Sequence, residues 1–133
     1  MNKLEIIETG IEIKFQYCEN KIVEKAVKIF EKEFKKGNEN LSFDELMKIP
    51  ISNEIYEEYD VPTVKEQLEF YIDKIIYDDI IEPKIRHVDD NKLLKILNQK
   101  GYGCLFSWKN AISEKYIEKI FNKIKENNLL WIK

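Results

Sequence analysis

Arginine and histidine are nearly missing from this chain of 133 residues, in which Arg86 and His87 are the only representatives. One histidine excludes a two-histidine metal site, and no HExxH or D-x-D-x-D-G spacing stands in for it. Cysteine is as scarce. Cys18 and Cys104 lie far apart with no CxxC spacing, so neither a disulfide framework nor half a zinc site is present. Three prolines and four glycines are too few for a disordered or fibrous composition. No apolar run approaches the roughly 18 residues needed to cross a bilayer. The start, Met1-Asn2-Lys3-Leu4-Glu5, lacks the basic and apolar regions of a secretory signal. These absences lead to the expectation of a soluble, cytoplasmic protein without a membrane partner, folded as a single domain over 1–133.

Charge is what the chain has in quantity. The net charge of −3 conceals a steep asymmetry: residues 37–90 carry fifteen acids against five bases, and residues 91–133 carry three acids against nine lysines. Such segregation bears on partners more directly than on fold.

Periodicity leads to an α+β expectation. Ile11, Ile13, Phe15 and Tyr17 alternate with Glu12, Lys14, Gln16 and Cys18, and Thr9-Gly10 supplies a turn, so residues 4–18 read as a β-hairpin. A helix follows, with Ile22, Val23, Ala26, Val27, Phe30 and Phe34 on one face, Asn20 as N-cap and Gly37 as its stop. Ser42-Phe43-Asp44-Glu45 and Thr63-Val64-Lys65-Glu66 each have capping-box spacing and open two further helices. Asp89 or Asp90 caps a fourth, which ends at Gly101. Strands are expected near 102–108 and 129–132, with Ser113 capping a helix between them. A small mixed or antiparallel sheet packed against about four helices results.

Three constellations invite a chemical reading. Gly101-Tyr102-Gly103 follows a helix and precedes an expected strand, the reverse of a phosphate-binding loop, so it reads as a helix stop. His87 and Cys104 could form a base and nucleophile, but Cys104 alternates in phase with Tyr102, Phe106 and Trp108, which places it on an expected buried face. Arg86, flanked by Glu82, Asp89 and Asp90, reads as a structural ion pair before it reads as an anion site. No cofactor or metal is called for, and a small enzyme of unknown reaction using Arg86, His87 or Cys104 is the third choice.

The acidic middle carries the leading expectation. Glu54, Tyr56, Glu57, Glu58, Tyr59 and Asp60, then Tyr77, Asp78 and Asp79, interleave tyrosines with carboxylates. Tyrosine gives a rigid contact with a polar tip, and carboxylates steer in a basic protein partner. A non-catalytic interaction module is therefore expected, with an inhibitor or immunity-type protein against a nucleic-acid-processing enzyme as its specific form.

The alternative is a nucleic-acid-binding regulator. Lys115, Lys119 and Lys123 are spaced four apart, and with Lys109 could follow a phosphate backbone. The stretch ISEKYIEKIFNKIKENNLLWIK resembles the recognition helix and following strand of winged-helix proteins over about twenty residues. That resemblance implies a DNA-facing helix. The sequence departs from the pattern after Lys133, where a wing and return strand would come.

Overall fold

The computed structural model describes residues 2–51 and 62–131, with side chains described as far as Asn127. Among the described residues, the regular elements are all helices. The helices are α1 (Lys3–Phe30), α2 (Phe43–Met47), α3 (Val64–Ile76), α4 (Glu82–Ile85), α5 (Asp90–Gln99) and α6 (Leu105–Trp131). A π-helical turn, Glu31–Lys35, extends α1, and another, Tyr77–Ile81, joins α3 to α4 in one continuous rod.

Three rods form the bundle, and cross-helix pairs fix their directions. Glu8 meets Trp108, Phe15 stacks on Tyr116, and Glu19 meets Lys123, so α1 and α6 run parallel. Phe34 meets Tyr71 and Lys25 meets Asp79, so α3 runs antiparallel to α1. Asp73 beside Lys109, and Lys65 above the Phe121 ring, set it antiparallel to α6 as well. The short α2 packs on α3 and α6, and α5 packs on α1 and α6. The core is the aliphatic and aromatic seam between the rods, from Leu4, Ile11 and Phe15 through Leu68, Ile72 and Ile76 to Trp108, Ile112 and Ile120.

Spacing explains the π-helical turns. Apolar residues at Ile22, Ala26, Phe30 and Phe34, and at Val64, Leu68, Ile72, Ile76 and Ile80, recur every four residues. At 3.6 residues per turn, each four-residue step overshoots by about 40°, so the stripe would wind away from the core. A wider i→i+5 turn takes up that drift. Phe34 and Ile80 stay buried, and Ile81 joins them.

Local signals act where they have no competitor. Both capping boxes form: Ser42 Oγ accepts from Glu45 N at 3.1 Å and Thr63 Oγ1 accepts from Glu66 N at 3.3 Å. Gly37 and Gly101 take φ of 90° and 86°, the left-handed conformation that ends a helix.

The expected sheet is absent among the described residues. Residues 4–18 lie inside α1, because the alternation from Ile11 to Tyr17 overlaps a longer helical series of Leu4, Ile7, Ile11, Phe15, Cys18 and Ile22. The longer pattern buries more surface and wins. The alternating residues it leaves out, Ile13 and Tyr17, are 50% and 86% exposed. Asn20, read as a cap, sits mid-helix in α1.

The expected strand at 102–108 is the turn into α6 followed by that helix's first turn, and the buried series starts at Trp108 and continues through Ile112, Tyr116, Ile120 and Ile124. Trp108 is buried as expected, but Phe106 is 65% exposed and Cys104 is exposed. Ser113 lies inside α6, facing the core. The last expected strand, 129–132, is helical through Trp131, and Ile132 lies outside the described residues. The winged-helix resemblance therefore loses its strand. Among the described residues, no helix is long and apolar enough to cross a membrane.

Two substitutions separate the helical bundle from the expected α+β fold by sign. Gly10 is a helix-interior glycine, and a Cβ there would meet the Lys84 stem at 3.6 Å, an ordinary contact. Gly10→Ala is expected to raise the urea unfolding free energy by about 0.5–1 kcal/mol, where a hairpin-turn glycine would lose stability. Ser113 Oγ is buried without a hydrogen-bond partner among the described residues. Ser113→Ala is expected to stabilise by about 1 kcal/mol in the same assay, where loss of an N-cap would destabilise by a similar amount.

Candidate functional site

The acidic, tyrosine-bearing set divides in two. Glu54, Tyr56, Glu57, Glu58, Tyr59 and Asp60 lie outside the described residues, but the residues on either side are fixed. Ile51 N donates to Pro62 O and Val64 N donates to Ile49 O, each at 2.8 Å, and Pro50 and Thr63 form an antiparallel bridge. The capping box on Thr63 ties that side of the clasp to α3. Both ends of the acidic segment thus enter the bundle at one point, the end where α2 packs.

Tyr77, Asp78 and Asp79 occupy the π-helical turn at the far side of α3. Thirteen residues separate Tyr77 from Val64, which at 1.5 Å per residue is ~20 Å along the rod. Asp79 accepts from Lys25 Nζ at 2.6 Å. Tyr77 is half-buried beneath the Lys109 ammonium, 4.9 Å from the ring centroid, and Lys109 also pairs with Asp73 at 3.2 Å. Two of these three residues hold rods together, and Asp78 alone is exposed without a partner among the described residues.

The lysines of α6 face the protein's own acids. Lys109 is largely shielded between Asp73, Tyr77 and Phe106. Lys123 pairs with Glu19 at 2.8 Å and Lys125 with Asp44 at 3.1 Å. Lys115 and Lys119 line the α1/α6 groove with Glu5, Glu8 and Glu12. In the same groove, burial and the nearby Glu12 and Glu8 carboxylates push the Tyr116 phenol up. A nucleic-acid backbone laid along this row would meet carboxylates as well as lysines.

The proposed catalytic residues are not assembled. Arg86 pairs with Glu82 one turn back at 2.6 Å, both half-exposed, an ordinary surface ion pair. His87 is exposed and makes no hydrogen bond or ion pair among the described residues. Cys104 sits at the start of α6, where its carbonyl accepts from Trp108 N and its sulfur lies 3.4 Å from Ser107 Oγ. The Ser107 hydroxyl, then the Ser107 and Phe106 backbone N–H groups, hold the thiol below its ordinary pKa. Among the described residues, no group of three or more His, Cys, Asp or Glu is placed to hold a metal ion.

A second surface escapes sequence reading. At the other end of the bundle, the first turn of α1 and one face of α5 enclose a groove of about 550 Å³ that includes Lys3, Lys92, Lys95 and Lys100 and no carboxylate. A groove of about 420 Å³ continues from it, sharing Lys3, Lys92 and Ile96 and adding Ile6, Ile7 and Val88. The spacing of Lys92, Lys95 and Leu93, Leu97 marks α5 as amphipathic, but nothing in the sequence brings Lys3 to it.

No family model, curated protein or solved structure matches this chain. Functional reading therefore rests on the molecule's own chemistry.

Cys18 is partly buried in α1 and Cys104 is exposed, and both are free. In the folded protein, Cys104 is expected to react with iodoacetamide well ahead of Cys18. The rate should rise with pH to a midpoint below that of free cysteine, because the helix-start donors favour the thiolate. Ser107→Ala should move that midpoint upward. Peptide mapping of the alkylated protein over a pH series reads both effects.

Proposed function

We propose that the protein is a non-catalytic interaction module of the cytoplasm that binds a basic protein partner through the segment carrying Glu54, Tyr56, Glu57, Glu58, Tyr59 and Asp60. The observation that carries this reading is the Pro50–Thr63 clasp, which returns both ends of the most acidic stretch of the chain to one point on a closed bundle. The bundle itself is held by a continuous core and by ion pairs that join its own rods. Four carboxylates lie between Ser52 and Val61 in the sequence, with no lysine or arginine among them. Carboxylates of this density attract a cationic surface over long range and repel an anionic one. An inhibitor or immunity-type role follows naturally, with the carboxylates imitating the phosphates a nucleic-acid enzyme would otherwise hold. Two free thiols are in keeping with a reducing compartment.

The nucleic-acid alternative is weaker because Lys109 and Lys123 are spent on Asp73 and Glu19. Parallel baits test the proposal: the full chain, and a Glu57→Gln/Glu58→Gln/Asp60→Asn variant, each incubated with lysate of the source at moderate salt. A basic protein retained by the first and lost from the second is expected. Its association rate should fall about tenfold in the variant, with a flatter salt dependence and an unchanged melting temperature. Equal rates for the two baits would sink the acidic-segment reading, and retention of nucleic acid by both would favour the lysine row.

A further inference from the structure

We propose that the two joined grooves between α1 and α5 bind a small amphipathic anion, an acyl chain carrying a phosphate or carboxylate head. This site lies at the opposite end of the bundle from the Pro50–Thr63 clasp and does not depend on the acidic segment.

Countercharge comes first. Several lysines elsewhere in the described chain are paired with acids across helices, as Lys25 is with Asp79 and Lys123 with Glu19. Here Lys3, Lys92 and Lys95 have no ion-pair partner among the described residues, and Lys100 shares Glu5 with Asn2 at the rim, 3.5 Å away. Lys92 and Lys95 stand one turn apart on α5, where like charges repel. In a chain of net charge −3, this groove concentrates unneutralised lysines that an anion would relieve.

Apolar lining comes second. The adjoining groove offers Ile6, Ile7, Val88 and Ile96, and Ile6 is 56% exposed. The exposed His87 imidazole is the single ring in the lining and the rest of the wall is aliphatic, which suits an acyl chain. Polarity orients the ligand. Asp89 borders the apolar groove and Glu5 already pairs with Lys100, so the head lies by Lys95, away from both carboxylates, while the chain runs past Ile96 towards Val88. The combined space is within the range of small-molecule sites.

Titration of the full chain with octyl phosphate, octanoate, inorganic phosphate and octanol, below micelle-forming concentrations and followed by calorimetry, tests the proposal. At least one of the two amphiphiles is expected to bind saturably, at least tenfold tighter than inorganic phosphate or octanol, and whichever binds tighter identifies the head. Lys92→Glu/Lys95→Glu should weaken that binding at least tenfold with the helical circular dichroism retained. Ile6→Gln, at an exposed position, should weaken the amphiphile and leave inorganic phosphate unaffected. The proposal is overturned by the absence of saturable binding, by inorganic phosphate matching the amphiphile, or by an unchanged affinity in the lysine variant. Anionic vesicles that bind without competition from octyl phosphate would overturn it in favour of a lipid surface.

Discussion

Burial of Trp108 against α1 sets the register of the bundle. Its indole is fully buried, and a buried N–H without an acceptor costs on the order of 1–3 kcal/mol. Glu8 Oε1 accepts that proton at 3.0 Å, so α6 is seated on α1 by a bond that only one axial position satisfies. Everything further along the seam inherits the register. Phe15 and Tyr116 then stack with centroids 4.1 Å apart, and Phe121 meets Phe43 of α2 edge-on at 5.2 Å. Aromatic pairs of this kind add about 0.5–1.5 kcal/mol each beyond the area they bury. The same seam brings Glu8 and Glu12 beside Tyr116 and opposite the lysines of α6, so packing and charge are decided together.

The charge segregation of the sequence is partly cancelled in three dimensions. Lys109 and Lys125, from the basic third, pair with Asp73 and Asp44 of the acidic middle, and Lys123 reaches Glu19 on α1. Most of these pairs are solvent-exposed and individually worth little. Lys109 differs, being shielded and held by a carboxylate and two aromatic rings at once. After this pairing, Lys3, Lys92 and Lys95 beside α5 are among the lysines with no ion-pair partner among the described residues.

Local signals in the sequence were legible and global ones were not. Ser42, Thr63, Gly37 and Gly101 act within one turn of themselves, so their roles follow from neighbours alone. The stretch Ile11 to Tyr17 satisfied two periods at once, and only the extent of the rod from Leu4 to Phe34 decides between them. Tyr102 to Trp108 misled for a related reason, since a turn and the first turn of a helix can mimic alternation over seven residues. Ser113 has the composition of a cap and the position of a core residue. The four-residue spacing that calls for π-helical turns was visible, but its meaning depends on which face each rod buries. For the sites, charge type was readable and pairing was not. Asp79 and Lys109 look free in the sequence and are spoken for in the bundle, whereas Lys3 joins Lys92 only through folding.

The Pro50–Thr63 clasp separates two kinds of selection. Hydrogen bonds at Ile51–Pro62 and Ile49–Val64 hold together the two flanks of the segment between them. The entropy of closing a loop grows only with the logarithm of its length, about 0.6 kcal/mol for each doubling. On closure entropy alone, a change in the length of chain spanned between Ile51 and Pro62 therefore costs the clasp little. A clasp of this kind lets the length of what it spans vary while the helices it joins keep their register.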